Sequence, residues 1–166
     1  AALHAPHVGL LSNREFRKVN IEGTIGIAKT ARRCGVKDFI FTSTTALYGH
    51  TIDADPQKAA WITEETEALP KSIYHRTKLE AESFLASVAS TDLRITTLRM
   101  SRCFPEPAPL MAAYRLHRGI DARDVAEGHH LALVKPGAPY RTFILSGRHP
   151  FMHSADEALR TKAAPD

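Results

Sequence analysis

The stretch VKDFIFTSTTALYG, residues 36–49, gives the strongest indication of the fold of this chain. Its first half is short, β-branched and aromatic, and the segment FIFTS, residues 39–43, is polar on neither face. Such a strand is typical of a parallel sheet that is buried under helices on both sides. The second half is rich in hydroxyl groups, and α/β sheets bind ligands at the carboxyl ends of their strands. The stretch therefore predicts a buried strand that carries hydroxyl side chains to a ligand site.

Helical patterns lie on both sides of this strand. Residues 12–34 show helical spacing, with Ser12 or Asn13 as the N-cap and Gly35 as the residue that ends the helix. A second helix is predicted over 72–89. The packed face of the first helix is predicted to comprise Phe16, Val19, Gly23, Ile27 and Ala31. We expect both helices to pack on one side of the sheet.

Strands and helices continue to alternate along the rest of the chain. Strands are predicted at 93–100 and 140–146, and helices at 110–117, at 121–134 and from Ser154 onward. This alternation is typical of a parallel sheet in an α/β fold. Three strands leave an edge of a buried sheet open, so we expect further strands before Ala1 and a chain that is a fragment. Residues 1–166 are predicted to form a single domain.

The composition is that of an ordinary globular protein. The chain has 166 residues, of which 43% are hydrophobic and 24% charged, enough for one domain with a core. The net charge is +4, but the basic residues are scattered, which argues against nucleic acid as a partner. No apolar run approaches the roughly 18 residues of a membrane span. The two cysteines lack the spacing of a zinc or disulfide framework. We expect a cytoplasmic protein with neither a metal site nor a membrane contact.

Tyr74 and Lys78 lie four residues apart at the start of the second predicted helix. At this spacing two side chains share a helix face, with Cβ atoms about 5–6 Å apart. A nearby ammonium favours the phenolate, so we expect Lys78 to lower the pKa of Tyr74 toward neutral pH. The tyrosine would then exchange a proton with an alcohol. The same spacing is common on solvated helix faces, so the pair alone does not decide the function.

Six short motifs in a fixed order carry a resemblance to a known family. They are AALHAP (1–6), VNIEGT (19–24), FTSTTALYG (41–49), YHRTK (74–78), LRMSRCFPEP (98–107) and DARDVAEGHHLAL (121–133). Together they resemble the extended short-chain dehydrogenase/reductase family, the NAD(P)-dependent sugar epimerases and dehydratases. The resemblance covers nearly the whole chain. It implies an NAD(P)-binding, Rossmann-like, doubly wound parallel sheet, with NAD or NADP as the cofactor.

The resemblance implies a catalytic set of Thr44, Tyr74 and Lys78. Tyr74 would be the acid and base, and Lys78 would bind the ribose hydroxyls of the nicotinamide half and lower the pKa of Tyr74. Thr44 would form a hydrogen bond with the reacting substrate oxygen.

The resemblance also implies binding surfaces for cofactor and substrate. Beside Tyr74 and Lys78, the cofactor residues would be Ala1, Ala2, His4, Asn20, Thr42, Ser43, Met100 and Ser101. For Asn20, a role that only braces the sheet stays open. Thr44, Thr45 and Arg102 would contact the substrate, in part from a short segment around 101–120. Arg102 would pair with a diphosphate, although an ordinary surface role for this arginine also stays open.

The chain departs from the family pattern in three ways. The glycine-rich turn that holds the pyrophosphate is absent, and so is the residue that separates NAD from NADP. The segment between Pro105 and Asp121 is short, which implies a smaller or more open substrate site. Thr45 and Ala46 stand where the 4,6-dehydratases carry Asp-Glu, so dehydration is disfavoured.

The resemblance thus implies a nucleotide-sugar epimerase, an isomerase that oxidises a secondary alcohol and reduces the ketone again on the opposite face. One alternative is an NAD(P)-dependent reductase or dehydrogenase of a small carbonyl substrate. A second is a non-catalytic regulatory protein that binds a dinucleotide on the same fold. Relatives often pair their two long helices across a two-fold axis, so a homodimer is also expected.

Overall fold

The computed structural model describes residues 2–51, 61–117 and 119–148. In chain order its main elements are α1 (Asn13–Arg17), a π-helical turn (Lys18–Glu22), α2 (Gly23–Arg33), β1 (Asp38–Thr44), a 3₁₀ helix (Thr45–Tyr48), α3 (Ile73–Val88), β2 (Arg94–Met100), α4 (Ala108–His117), α5 (Ala122–Val134) and β3 (Tyr140–Leu145). The predicted strands and the predicted second, third and fourth helices are confirmed. The last predicted helix, from Ser154 onward, and the predicted cofactor residue Ala1 lie outside the described residues.

The three strands form one parallel sheet in the order β1-β2-β3. Phe39 of β1 pairs with Ile95 of β2, which in turn pairs with Tyr140 of β3. The parallel sheet that was predicted from the alternation of elements is therefore confirmed. Within the described ranges β1 has no neighbour on its outer side, so the open edge that the sequence predicted is present there.

Helices cover the sheet on both faces, as a doubly wound arrangement requires. On one face, Ala28 of α2 and Leu85 of α3 pack against Ile95, with Phe39 and Phe41 at the border of this core. On the other face, α5 contacts β1 and β2. Neighbouring residues of a strand point to opposite faces, so Phe41 faces α3 while the adjacent Thr42 faces α5.

The first long helix begins and ends as its sequence predicts. The Ser12 hydroxyl accepts a hydrogen bond from the Glu15 amide at 3.3 Å, and the Glu15 carboxylate accepts one from the Ser12 amide at 2.8 Å. This reciprocal capping satisfies two of the free amides at the helix start. Gly35 has a φ of 72°, the left-handed conformation in which glycine ends a helix without strain.

The packed face of this helix differs from the predicted one because of the π-helical turn. A π turn contains more residues than an α turn, so the side chains that follow it are rotated around the helix axis. Phe16, Asn20 and Ala28 point inward and are buried. Val19 and Ile27 are 39% and 61% exposed, so the prediction that they belong to the packed face was wrong.

Helix α3 starts after Ser72, whose hydroxyl accepts a hydrogen bond from the His75 amide. Thr77, Ala81 and Leu85 of this helix are buried. Two charged residues on the same helix, Lys78 and Glu82, are buried as well, at 4% and 3% exposure. Lysine and glutamate are rarely buried unless they have partners, so this part of α3 is where a functional site is expected. Among the described residues, no helix is long and apolar enough to cross a membrane.

Candidate active site

The carboxyl end of β1 meets the first turn of α3. Thr44 is the last residue of β1, and its hydroxyl accepts a hydrogen bond from the Ala46 amide at 3.1 Å, which starts the 3₁₀ helix. The phenol of Tyr74, in the first turn of α3, lies near enough to the side chain of Thr44 for that side chain to lower the pKa of the phenol. The structure therefore brings together a threonine and a tyrosine that are thirty positions apart in the sequence.

The ionisation of Tyr74 differs from the expected one. Burial raises the pKa of Tyr74 above its ordinary value, and the side chain of Thr44 lowers this pKa by a smaller amount. The expectation that Lys78 brings the pKa of Tyr74 toward neutral pH is therefore wrong for the protein alone. The reason is geometric, because the ammonium of Lys78 is directed to a main-chain carbonyl of β1.

Lys78 is a buried ammonium with few partners. Its Nζ donates a hydrogen bond to the main-chain oxygen of Thr42 at 2.6 Å and lies 3.9 Å from the ring centre of Phe41. Burial lowers the pKa of Lys78 to about 8, although the nearby carboxylate of Glu82 raises it. A cation with a pKa this close to neutrality is a mark of functional sites.

The next turn of α3 holds a fully paired charge. The Glu82 carboxylate accepts hydrogen bonds from Arg99 of β2, from Nη2 at 2.7 Å and from Nε at 3.1 Å. Arg99 Nη1 also donates to the Tyr48 hydroxyl at 2.6 Å, and that hydroxyl donates to the main-chain oxygen of Thr63 at 3.1 Å. This network joins α3, β2, the 3₁₀ helix and the loop before α3, so it fixes the frame in which Thr44 and Tyr74 meet.

Asn20, in the π-helical turn, braces the site. Its Oδ1 accepts from the Leu3 amide at 2.8 Å, and its Nδ2 donates to the Leu3 carbonyl at 2.9 Å and to the Thr77 hydroxyl at 3.0 Å. The side chain is buried, and both of its amide hydrogens are used in these contacts. Of the two roles left open for Asn20, the geometry favours the brace. The brace holds the segment at Leu3 against the helix that carries Tyr74.

The other predicted cofactor residues lie around this point in different surroundings. The His4 ring stacks on Phe104 at 5.9 Å, so the first segment lies beside the residues that follow β2. Ala2 is exposed, whereas Ser43 and Ser101 are buried. The Ser43 hydroxyl has no hydrogen-bond partner among the described residues. The hydroxyl of Thr45 approaches the Met100 carbonyl at 3.5 Å, which links the predicted substrate and cofactor segments.

Arg102 follows β2 and is already engaged within the protein. It forms an ion pair with Glu106, and its guanidinium lies 4.5 Å from the ring centre of Tyr114. The two residues Arg102 and Tyr114 line a cavity of about 210 Å³ together with Ile120. A diphosphate contact was one of the two roles left open for Arg102. In that role the guanidinium would have to interact with Glu106 and the diphosphate at the same time.

His129 of α5 reaches the site from the opposite face of the sheet. Its Nε2 is 2.7 Å from the Thr42 hydroxyl, and its Nδ1 is 2.8 Å from the Val125 carbonyl. The carbonyl only accepts, so Nδ1 carries the hydrogen and Nε2 accepts from Thr42 in the neutral ring. Thr42 is thus held twice, through its side chain by His129 and through its carbonyl by Lys78.

The model of the NAD dependent epimerase/dehydratase family matches residues 1–145. The chain belongs to this family. The resemblance to the NAD(P)-dependent sugar epimerases and dehydratases that was read from the six motifs is thereby confirmed.

Solved structures of epimerases and of a dehydrogenase share the fold. A UDP-galactose 4-epimerase has a TM-score of 0.69 at 19% identity, over 89% of this chain and 54% of that one. The UDP-glucose 4-epimerase of Thermus thermophilus, in complex with NAD, gives 0.68 at 22%, over 88% and 54%. A mutated uronate dehydrogenase gives 0.67 at 22%, over 79% and 45%. The chain therefore has the Rossmann-like fold and spans about half the length of these structures.

The residues of the site fit the dinucleotide of the epimerase/dehydratase family. An ammonium carries three donors, and among the described residues one donor of Lys78 goes to Thr42. Two donors are left for a ligand such as the vicinal hydroxyls of a ribose. The depressed pKa of Lys78 also shows that the buried cation lacks full compensation, which a polar ligand would supply.

Four residues that the structure places around the candidate site were not predicted from the sequence: Tyr48, Glu82, Arg99 and His129. For Glu82 a signal was present, because it lies four residues after Lys78 and eight after Tyr74, on one helix face. For Arg99 and His129 no local signal existed, since each is brought to the site by the sheet register or by the opposite helix layer. A buried arginine within a strand also gives no periodic pattern that separates it from a surface one.

Proposed function

We propose that this chain carries the catalytic part of an NAD(P)-dependent, epimerase-type oxidoreductase that acts on a sugar nucleotide in the cytoplasm. The observation that carries the proposal is the approach of the Tyr74 phenol to the Thr44 side chain, next to the buried ammonium of Lys78. Membership of the epimerase/dehydratase family and the fold of the 4-epimerases support it.

In the proposed reaction each of the three side chains has one role. The nicotinamide, when bound, would take up a hydride from the substrate carbon and return it. Tyr74 removes the proton of the substrate hydroxyl as the ketone forms, and gives it back when the alcohol is restored. Thr44 donates its hydroxyl hydrogen to the substrate oxygen and keeps it next to the phenol. Lys78 holds the ribose hydroxyls of the cofactor.

Because the pKa of Tyr74 is raised, the rate of the oxidation step should depend on pH. The phenol is protonated at neutral pH, so it is ready to act as an acid toward the substrate oxygen. Oxidation of an alcohol needs the phenolate instead. We therefore expect the oxidation step to become faster as the pH rises toward the raised pKa of Tyr74, measured as single-turnover reduction of NAD by a sugar nucleotide.

The central test replaces Tyr74 by Phe in the full-length protein. The variant keeps the ring and loses the hydroxyl, so turnover of UDP-glucose or UDP-galactose should fall by about 10²- to 10⁴-fold. Binding of NAD, followed by calorimetry, should change little because Lys78 is intact. Turnover that survives the substitution would contradict the proposed role, and NAD binding without any turnover in the unmodified protein would favour a regulatory dinucleotide-binding protein.

Product analysis separates an epimerase from a dehydrogenase on the same site. An epimerase returns the hydride and yields the inverted sugar without net NADH. A dehydrogenase releases the ketone and yields one NADH for each turnover. The dehydratase reaction is disfavoured, since Thr45 and Ala46 follow Thr44 and neither side chain carries a carboxyl group.

A homodimer is part of the proposal. The π-helical turn and α3 together form an outer face with a depression of about 410 Å³, lined by Ile21, Pro70, Arg76, Leu79, Glu80 and Ser83. Val19 and Ile27, which the π turn leaves exposed, lie on the helix that borders it. Pairing of two such faces across a two-fold axis would cover these apolar side chains. Sedimentation that shows only monomer at micromolar concentration would contradict this arrangement.

A further inference from the structure

Three ionisable residues follow one another along the inner face of α3. Tyr74, Lys78 and Glu82 are spaced four residues apart, so each side chain lies one helical turn from the next. Lys78 and Glu82 are almost fully buried, and Tyr74 is half-buried. Water screens such charges poorly, so neighbours on this face act strongly on one another.

The end of this row is fixed by hydrogen bonds. Both Nε and Nη2 of Arg99 donate to the Glu82 carboxylate, and Nη1 donates to the Tyr48 hydroxyl. The carboxylate therefore cannot turn away from α3 toward solvent. It lies beside the guanidinium, one turn from the ammonium of Lys78.

The titratable and charged groups near Lys78 come from several elements that pack around α3. On α3 they are Tyr74 and Glu82, and on β2 the guanidinium of Arg99, which lies beyond Glu82. Tyr48, with Glu64 nearby, belongs to the connection before α3, and His129 of α5 reaches Thr42 across the sheet. The acidic group that raises the pKa of Lys78 is Glu82.

We infer that Glu82, locked by Arg99, is a positioning residue that keeps the Lys78 ammonium charged within its buried site. The inference rests on the proposed function, in which Lys78 must be a cation to bind the ribose hydroxyls. Glu82 is the charged group that acts on Lys78, and it raises the pKa of the lysine, so the ion pair favours the charged form. Glu82 acts on Lys78 through electrostatic attraction and does not need to contact the substrate or the cofactor.

The test follows the ionisation of Lys78 directly in the full-length protein without substrate. The ¹³Cε resonance of Lys78 in ¹³C-lysine-labelled protein, assigned by its loss in Lys78→Met, is titrated with pH. Glu82→Gln should move the midpoint of Lys78 down by about one pH unit, the size expected for a lost neighbouring carboxylate. Glu80→Gln is the matched control, since Glu80 lies on the same helix but is exposed and paired with Arg17, and it should leave the midpoint unchanged.

A second variant keeps the inference testable if Glu82→Gln does not fold. The double change Glu82→Met with Arg99→Met removes the pair together and leaves no buried charge without a partner. Its Lys78 midpoint should lie below that of the unmodified protein and above that of Glu82→Gln. A midpoint that stays in place in every folded Glu82 variant would overturn the inference. The proposed function has its own test in Tyr74→Phe, so the failure of one does not decide the other.

Discussion

Lys78 and Glu82 are two buried charges one turn apart on the same helix, and the protein treats them differently. Glu82 is matched by a forked arginine whose third contact goes to Tyr48. Lys78 has one carbonyl and an aromatic ring, and its pKa falls to about 8. The charge of Glu82 is therefore compensated by a partner of opposite charge, whereas the charge of Lys78 is compensated only in part.

This difference separates the part of α3 that serves stability from the part that serves function. A charge that is paired and hydrogen-bonded holds elements in place. A buried charge with a depressed pKa opposes folding and persists at sites that use it. The same contrast holds for hydroxyls, because Thr77 is bonded to Asn20 and Tyr74 whereas the buried hydroxyl of Ser43 is without a partner in the described residues.

The largest effect is expected from a substitution that breaks the ion pair between Glu82 and Arg99. Arg99→Met leaves the Glu82 carboxylate buried without its partner, so the free energy of unfolding should fall by about 3–5 kcal/mol. Urea denaturation at pH 7 measures this loss. Changing Glu82 and Arg99 together to Met should cost much less, because no charge is then left alone. Equal losses in the single and the double variant would show that the ion pair is not the reason.

A smaller effect of opposite sign is expected at Lys78. Replacing Lys78 by Met should raise the free energy of unfolding by about 2–3 kcal/mol at pH 7, because a lysine with a folded pKa near 8 is destabilising in its charged form. Its folded pKa lies below its ordinary value of 10.5, so the penalty is complete below pH 8 and disappears as the pH rises toward 10.5.

Denaturation curves of Lys78→Met at several pH values check this expectation. The unmodified protein should gain stability relative to the variant between pH 8 and 10.5. A difference that does not depend on pH would point to packing rather than to charge. Activity of the variant should be lost in spite of its greater stability.

The smallest expected effect concerns the unpaired hydroxyl. Ser43→Ala removes a buried polar group that has no partner in the described residues, so stability should rise by about 1 kcal/mol or remain unchanged. Thr77→Val is the control, since its hydroxyl bonds with Asn20 and with the Tyr74 carbonyl, and this change should destabilise the fold by about 1–3 kcal/mol. Thermal melting in the absence of cofactor compares the two variants. A clear loss in Ser43→Ala would mean that this hydroxyl is bonded after all.

Much of the fold and part of the site could be predicted from local patterns. The apolar run of β1 predicted a buried parallel strand, and Ser12, Gly35 and Ser72 marked helix ends through their own backbone chemistry. The face of the first helix could not be predicted, because the π turn at Lys18–Glu22 rotates the residues after it. Asn20 is buried against Leu3 and Thr77 in the same turn, and the spacing of residues in the sequence does not predict this burial.

The order of strands and helices along the chain, the parallel sheet and the presence of a Thr, Tyr and Lys set could be predicted from periodicity and motifs. The surroundings of each charge depend on the tertiary structure. It turned the Lys78 ammonium toward Thr42, raised the pKa of Tyr74 by burial, and placed Arg99 of β2 against Glu82 of α3. Ionisation depends on distance and solvent access, and both are set by contacts between residues that are far apart in the chain.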